Sequence, residues 1–189
     1  MTRSLRLYTI GHSTRTLAEL VALLRAHGVA RLIDVRTVPR SRRHPHFDRE
    51  ALPGPLRNAG IGYAHMGGLG GLRKPRPDSL NTAWRNAGFR GYADYMQTDA
   101  FRASLEALLA HAAEAPAAIM CAEAVPWRCH RSLIADALVA RGIDVRHILT
   151  PARADAHKLT AFAKVTAATV TYPAASQPGL PLESGGSAP

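Results

Sequence analysis

Both cysteines of the chain, Cys121 and Cys129, fall with Glu123, Arg128, His130 and Arg131 inside one short stretch, Met120 to Arg131. Three kinds of chemistry suit those residue types. A cysteine that ends a strand and faces a helix amino terminus and arginines has a lowered pKa and is a nucleophile. Thiolate, imidazole and carboxylate all suit zinc, so Cys121, Cys129 and His130 with Glu123 are a candidate ligand set, completed by His12 or His65 from another strand end. Anion binding is the least demanding. Arg128 and Arg131 flank a helix start whose free amides and dipole favour negative charge, and no special spacing is required.

Spacing weighs among the three. Cys121 and Arg128 bracket a loop as in cysteine phosphatases and rhodanese-like enzymes, but the interval is longer than theirs and Pro126 removes an amide donor. The metal set contains no compact Cys-x-x-Cys pair, and the adjacent Cys129 and His130 must both turn inward. Arginines, by contrast, follow several expected strand ends: Arg36, with Arg40, Arg42 and Arg43, can approach Arg128 and Arg131. If a reaction takes place there, Glu123 is the candidate general acid or base, with His12 or His130 the alternative, and Cys121 and Cys129 are structural, nucleophilic or metal-binding. Plainer roles compete with each of these. Glu123 could pair with Arg131, His12 with its own turn, Ser13 could cap a helix, and Cys121 could be a small core side chain.

The elements that must position these residues follow from periodicity. Leu5 to Ile10 alternates and is rich in strand formers, and it runs into Gly11-His12-Ser13. Thr16 with Glu19 is a capping box opening a helix whose stripe is Leu17, Leu20, Val21 and Leu24, with Gly28 as its stop. Arg31 to Arg36 is a second strand, reached by a crossover long enough to be parallel. Thr37 to His46, the densest basic segment, carries prolines and must be a loop, mobile unless an anion orders it. Asp48 to Asn58 is at best a short helix, and Gly60 to Met66 a third strand. The glycine-rich turn Gly67–Gly71 follows, then a basic, proline-rich run to Pro77. Gly91 to Gln97 and Asp99 to Glu114 are helices, the longer one capped by Asp99. Ala117 to Met120 is a fourth strand, His130 to Arg141 a helix, and Val145 to Leu149 a fifth strand. Residues 151–172 are expected to add a helix and a β-prone segment from Val165 to Tyr172.

Alternating strands and helices imply a single-domain, Rossmann-like three-layer α/β fold with a mostly parallel sheet of about five strands. The domain is expected over 1–172, with 173–189 a disordered tail rich in Pro, Ser and Gly. Ligands in such folds bind beyond the carboxyl ends of the strands. Gly11, His12 and Ser13, Asp34 and Arg36, His65, and Cys121 with Glu123 all lie at those ends. Gly11, Ser13, Asp34, Arg36, Arg128 and Arg131 are therefore the expected substrate or anion contacts. Two cofactor classes are excluded by pattern. The Gly11 to Thr16 turn lacks the glycines of dinucleotide folds, and Gly67–Gly71 lacks the lysine-serine or lysine-threonine ending of a nucleoside-triphosphate loop.

Composition sets the outer bounds. At 189 residues the chain is long enough to bury a core without disulfides or metals, and two cysteines in one stretch do not form a secreted framework. No segment has signal-peptide or membrane-span character, so a soluble, cytoplasmic protein is expected. The formal net charge of +10 favours phosphate-containing partners, a nucleotide or a nucleic acid. An arginine-rich, alanine-rich composition offers a plainer source for that charge, because only Lys74, Lys158 and Lys164 are lysines.

Six ordered motifs sharpen the reading: Thr9-Ile10-Gly11-His12-Ser13, Asp34-Val35-Arg36 with Pro39 and Ser41, Leu69-Gly70-Gly71, Gly91 to Met96, Met120 to Glu123, and Cys129-His130-Arg131. Over roughly residues 7–149 they resemble family 488 of the domains of unknown function. The resemblance implies an α/β protein with its site at these motifs and implies no particular reaction. The expectation is an enzyme of unassigned reaction that binds a phosphate-containing substrate at the strand ends. The rivals are a non-enzymatic nucleic-acid-binding module and a zinc protein using Cys121, Cys129 and His130. No cofactor or oligomeric state is assigned.

Overall fold

The computed structural model describes residues 5–175. Strands β1 (Arg6–Gly11), β2 (Arg31–Asp34), β3 (Gly62–His65), β4 (Ala117–Cys121) and β5 (Asp144–Thr150) are parallel, and β6 (Arg153–Ala156) turns back antiparallel along β5. The sheet order is β3-β2-β4-β1-β5-β6. β4 thus sits between β1 and β2, with Gly11 opposite Cys121 and Asp34 opposite Met120.

Ala117 to Met120 is buried throughout, as a central strand covered on both faces must be. The two-residue period then divides it. Ala117 and Ile119 join Leu7 and Ile33 on one face, while Ala118 and Met120 join Ile10 and Leu32 on the other. Helices α1 (Leu17–Ala26) and α2 (Pro53–Asn58) cover the second face through Leu20, Leu24 and Leu56. α3 (Ala87–Tyr95), α4 (Asp99–Glu114) and α5 (Arg131–Val139) cover the first through Tyr92, Leu105, Leu108 and Leu133. Each wholly buried leucine contributes on the order of 1.5–3 kcal/mol. The outcome is a three-layer α/β fold, and no helix among the described residues is long and apolar enough to cross a membrane.

The chain winds outward from β1 to β2 and β3, returns to β4, and leaves again to β5. The connections after β1 and β4 therefore go to opposite faces of adjacent strands, which opens a crevice at their carboxyl ends.

Several boundaries differ from the sequence reading. The Thr16–Glu19 capping box forms as expected. The cap of α4 is Thr98, whose side chain accepts from the Phe101 N–H, and Asp99 is already in the first turn. Residues 151–172 contain no helix. Pro151 turns the chain instead, β6 takes the free edge of β5, and β7 (Lys164–Thr166) pairs with β8 (Thr169–Thr171). The hairpin ends in the core, with Val170 and Tyr172 buried. Of the expected tail at 173–189, residues 176–189 lie outside the described residues.

Candidate functional site

The strand ends converge because the ladder continues past them. The His12 N–H donates to the Cys121 carbonyl (3.0 Å), Ser13 N–H to Ala122 (2.9 Å) and Val35 N–H to Met120 (3.0 Å). A Cβ on Gly11 would overlap the Glu123 carbonyl. Gly11, expected among the ligand contacts, is thus needed for the close approach of two loops. Beside them lies a cavity of about 830 Å³. His12, Ser13 and Arg36 reach it from β1 and β2, Arg40, Arg43 and His44 from the basic loop, and Cys121, Glu123, Arg128, Cys129 and His130 from β4 onward.

Asp34 and Arg36 are occupied with each other. Arg36 Nε donates to Asp34 Oδ1 (2.9 Å) and Nη2 to Oδ2 (2.6 Å), and the carboxylate also accepts from the Arg36 N–H (3.1 Å) and the Tyr63 hydroxyl (2.9 Å). Asp34 is wholly buried and Arg36 is 6% exposed. Arg36 Nη2 also donates to the Phe47 carbonyl (2.6 Å), and Ser41 N–H donates to Asp48 (2.7 Å). These bonds from the chain's own groups tie the basic loop to the segment that follows it.

His12 is also engaged on both ring nitrogens. Its Nδ1–H donates to the Ser13 carbonyl (3.0 Å), Nε2 accepts from Arg36 Nη1 (3.3 Å), and the ring stacks on Phe47 with centroids 4.2 Å apart. Burial pulls its pKa down to about 4, so the ring is neutral near pH 7.

Arg131 does not line the cavity. At 1% exposure it lies beneath the loop after β4, with Nη2 donating to the Glu123 carbonyl (2.6 Å) and Nη1 to Thr9 Oγ1 (3.4 Å). It grips the Glu123 backbone, and the Glu123 side chain is exposed at the cavity, where it accepts from the Val125 N–H (3.4 Å). The same loop borders a second cavity of about 840 Å³. Behind it Thr9, His147, His157 and Asp136 form a hydrogen-bonded row at 2.7, 2.9 and 2.8 Å.

Cys121, Cys129 and His130 come together although two of them are neighbours in sequence. A short turn at Pro126–Arg128, closed by Cys129 N–H to the Pro126 carbonyl (3.0 Å), brings Cys129 back toward the end of β4. His130 Nδ1 lies 4.0 Å from Cys121 Sγ and 3.7 Å from Cys129 Sγ, and all three donor atoms are within 4.8 Å of one another. Both thiols are free. The two neighbouring thiols share their titration: the closeness of Cys121 and His130 holds Cys129 low, and the closeness of Cys129, with burial, pushes Cys121 up.

The motif residues without an evident role in sequence support this group. The Tyr92 hydroxyl donates to the Leu69 carbonyl (2.8 Å) and Tyr95 to Gly68 (2.6 Å), which holds the glycine turn against His130. The Tyr92 ring itself lies 5.1 Å from the His130 ring. Asp94 accepts from Arg76 N–H (2.8 Å), Ser79 Oγ (2.6 Å) and Asn81 Nδ2 (2.8 Å), and so anchors the following loop. Leu72, Asn86 and Phe89 line the cavity without any sequence signal that could have placed them there.

Fold and site together define an α/β protein with an arginine-lined pocket above its strand ends and a Cys-Cys-His group in the pocket lining. The chain belongs to the family described as Domain of unknown function DUF488, whose model matches residues 16–138. No curated protein and no solved structure matches it.

Proposed function

We propose that the protein is an enzyme that binds a phosphate-containing substrate of nucleotide size in the pocket at the strand ends. The observation that carries this reading is the charge of the lining: Arg40, Arg43 and Arg128 face one cavity whose only carboxylate is Glu123. None of the three guanidinium groups has an ion pair or hydrogen bond among the described residues. They reach one cavity from two separate loops, Arg40 and Arg43 from one and Arg128 from the other. A cavity of about 830 Å³ suits a small ligand. Glu123 shares the lining with His12, His44 and His130, and in this reading it is the group that moves a proton.

Calorimetric titration with inorganic pyrophosphate and with ADP tests the pocket. Arg43→Ala and Arg128→Ala should each weaken binding by roughly 10-fold or more, as loss of a charge-assisted hydrogen bond does. Unchanged affinity in both variants would sink the reading. The rival is a nucleic-acid-binding module, favoured by exposed, unpaired Arg40, Arg42 and Arg43 on one loop. It requires steeply salt-dependent oligonucleotide binding whose slope falls when those three become alanine.

A further inference from the structure

We infer that Cys121, Cys129 and His130 form the binding site of one zinc-class divalent cation, with a fourth coordination position open to the pocket. The donor set is of the right chemistry, since thiolate and imidazole select such ions over magnesium or calcium.

The geometry is nearly formed. A tetrahedral zinc with bonds of about 2.3 Å to sulfur and about 2.05 Å to nitrogen holds S and N roughly 3.6 Å apart. The observed separations are 3.7 Å and 4.0 Å, so small side-chain rotations complete the site.

His130 is also set for ligation by a group outside the cluster. Its Nε2 lies 3.1 Å from the Val35 carbonyl, which only accepts, so Nε2 carries the proton. In the neutral ring the Nδ1 lone pair then points toward both sulfurs, and a ligating histidine is commonly fixed in this way by a backbone carbonyl. Gly71 packs against the same ring. A Cβ there would come within 2.5 Å of His130 Nδ1 and 2.8 Å of Cγ, over the face of the ring, so glycine lets the turn held by Tyr92 and Tyr95 fix where the imidazole sits.

Two thiolates and a divalent cation sum to zero charge, which suits a pair of sulfurs at the edge of the core. Three protein ligands with the fourth position facing a cavity is the catalytic rather than the structural form of a zinc site. Because Cys121, Cys129 and His130 all line the pocket, that position takes water or an oxygen of the bound anion. The inference rests on the proposed substrate only for the occupant of the fourth position.

The test uses the full chain, reduced, loaded with Zn²⁺ and dialysed. Mass spectrometry of the metal should find about one zinc per chain. Cys121→Ser, Cys129→Ser and His130→Ala should each lower the retained zinc at least 10-fold, and Gly71→Ala, which keeps all three ligand types but displaces the His130 ring, should do the same. Cobalt substitution of the wild type needs no variant to fold: Co²⁺ bound here should show thiolate charge-transfer and the intense visible bands of tetrahedral coordination. Reduced, folded wild-type protein that retains neither ion, or ligand variants that keep full zinc, overturns the site. Inorganic phosphate added to the cobalt form should shift the visible bands, and bands that do not move overturn the open position. Pyrophosphate binding insensitive to the arginines, with zinc retained, counts against the proposed substrate and upholds the metal site.

Discussion

Glu123 and Asp34 show how differently two strand-end carboxylates are used. Glu123 has its backbone gripped by Arg131 and its side chain exposed in the pocket lining. Glu123→Gln keeps the shape and removes the proton acceptor. On any phosphoester the protein turns over it should lower kcat by about 100-fold or more while the substrate still binds. A variant with full kcat removes Glu123 from the reaction. Asp34 instead accepts four donors and neutralises Arg36 in the core. Asp34→Ala leaves a buried, unpaired guanidinium and should cost about 3–5 kcal/mol in chemical denaturation. The sequence shows both residues at strand ends and cannot separate them, because burial depends on Tyr63 and Phe47, which arrive from other segments. For the same reason Arg131 reads as an anion contact in sequence and proves to be a support beneath the loop.

Among the elements, strands β1 to β5 and helices α1, α4 and α5 were legible and their ends less so. The stripe of α1 and its capping box are local features, complete within the first turns of the helix. At α4 the neighbouring Thr98 and Asp99 are both good capping types, and the extended backbone at Thr98 decides between them. Thr98→Ala should therefore destabilise the protein by ~1 kcal/mol. Asp99→Ala, which removes an exposed pair with Arg102, should stay within about 0.5 kcal/mol, and the two denaturation midpoints distinguish these roles. The β-prone run from Val165 to Tyr172 was legible and forms the β7–β8 hairpin, whereas β6 was missed because a short strand is defined by its partner. The edge of β5 exists only once the sheet has formed.

At the scale of the whole molecule, the row from Thr9 to Asp136 ties β1, β5, the segment after β6 and α5 together. Tyr172 adds the end of the hairpin through its hydroxyl on Asp136 (2.7 Å). Burial, with His157 alongside, pulls the His147 pKa from its ordinary 6.5 down to about 4. The unfolded chain then binds more protons than the folded one between those values. Stability from this residue is present above pH 6.5 and is lost as pH falls through about 4. Denaturant midpoints measured from about pH 7 to about pH 4 should fall across this window, and His147→Gln should flatten the fall. An unchanged slope in the variant would show that other groups carry the acid sensitivity.

The order of β1 to β5 with their intervening helices and the mostly parallel sheet were already written in the sequence. Hydrophobic period, caps and crossover lengths are local properties, and the parallel connection rule turns them into a fold. What lay beyond the sequence was which side chains meet. Nothing in the interval between Cys121 and Cys129 announces that a turn at Pro126–Arg128 returns the second sulfur toward the first. Nor does it show that Gly71, held by Tyr92 and Tyr95, lies against His130 Nδ1. Those contacts join segments far apart in the chain, and β4 settling between β1 and β2 is what brings them together.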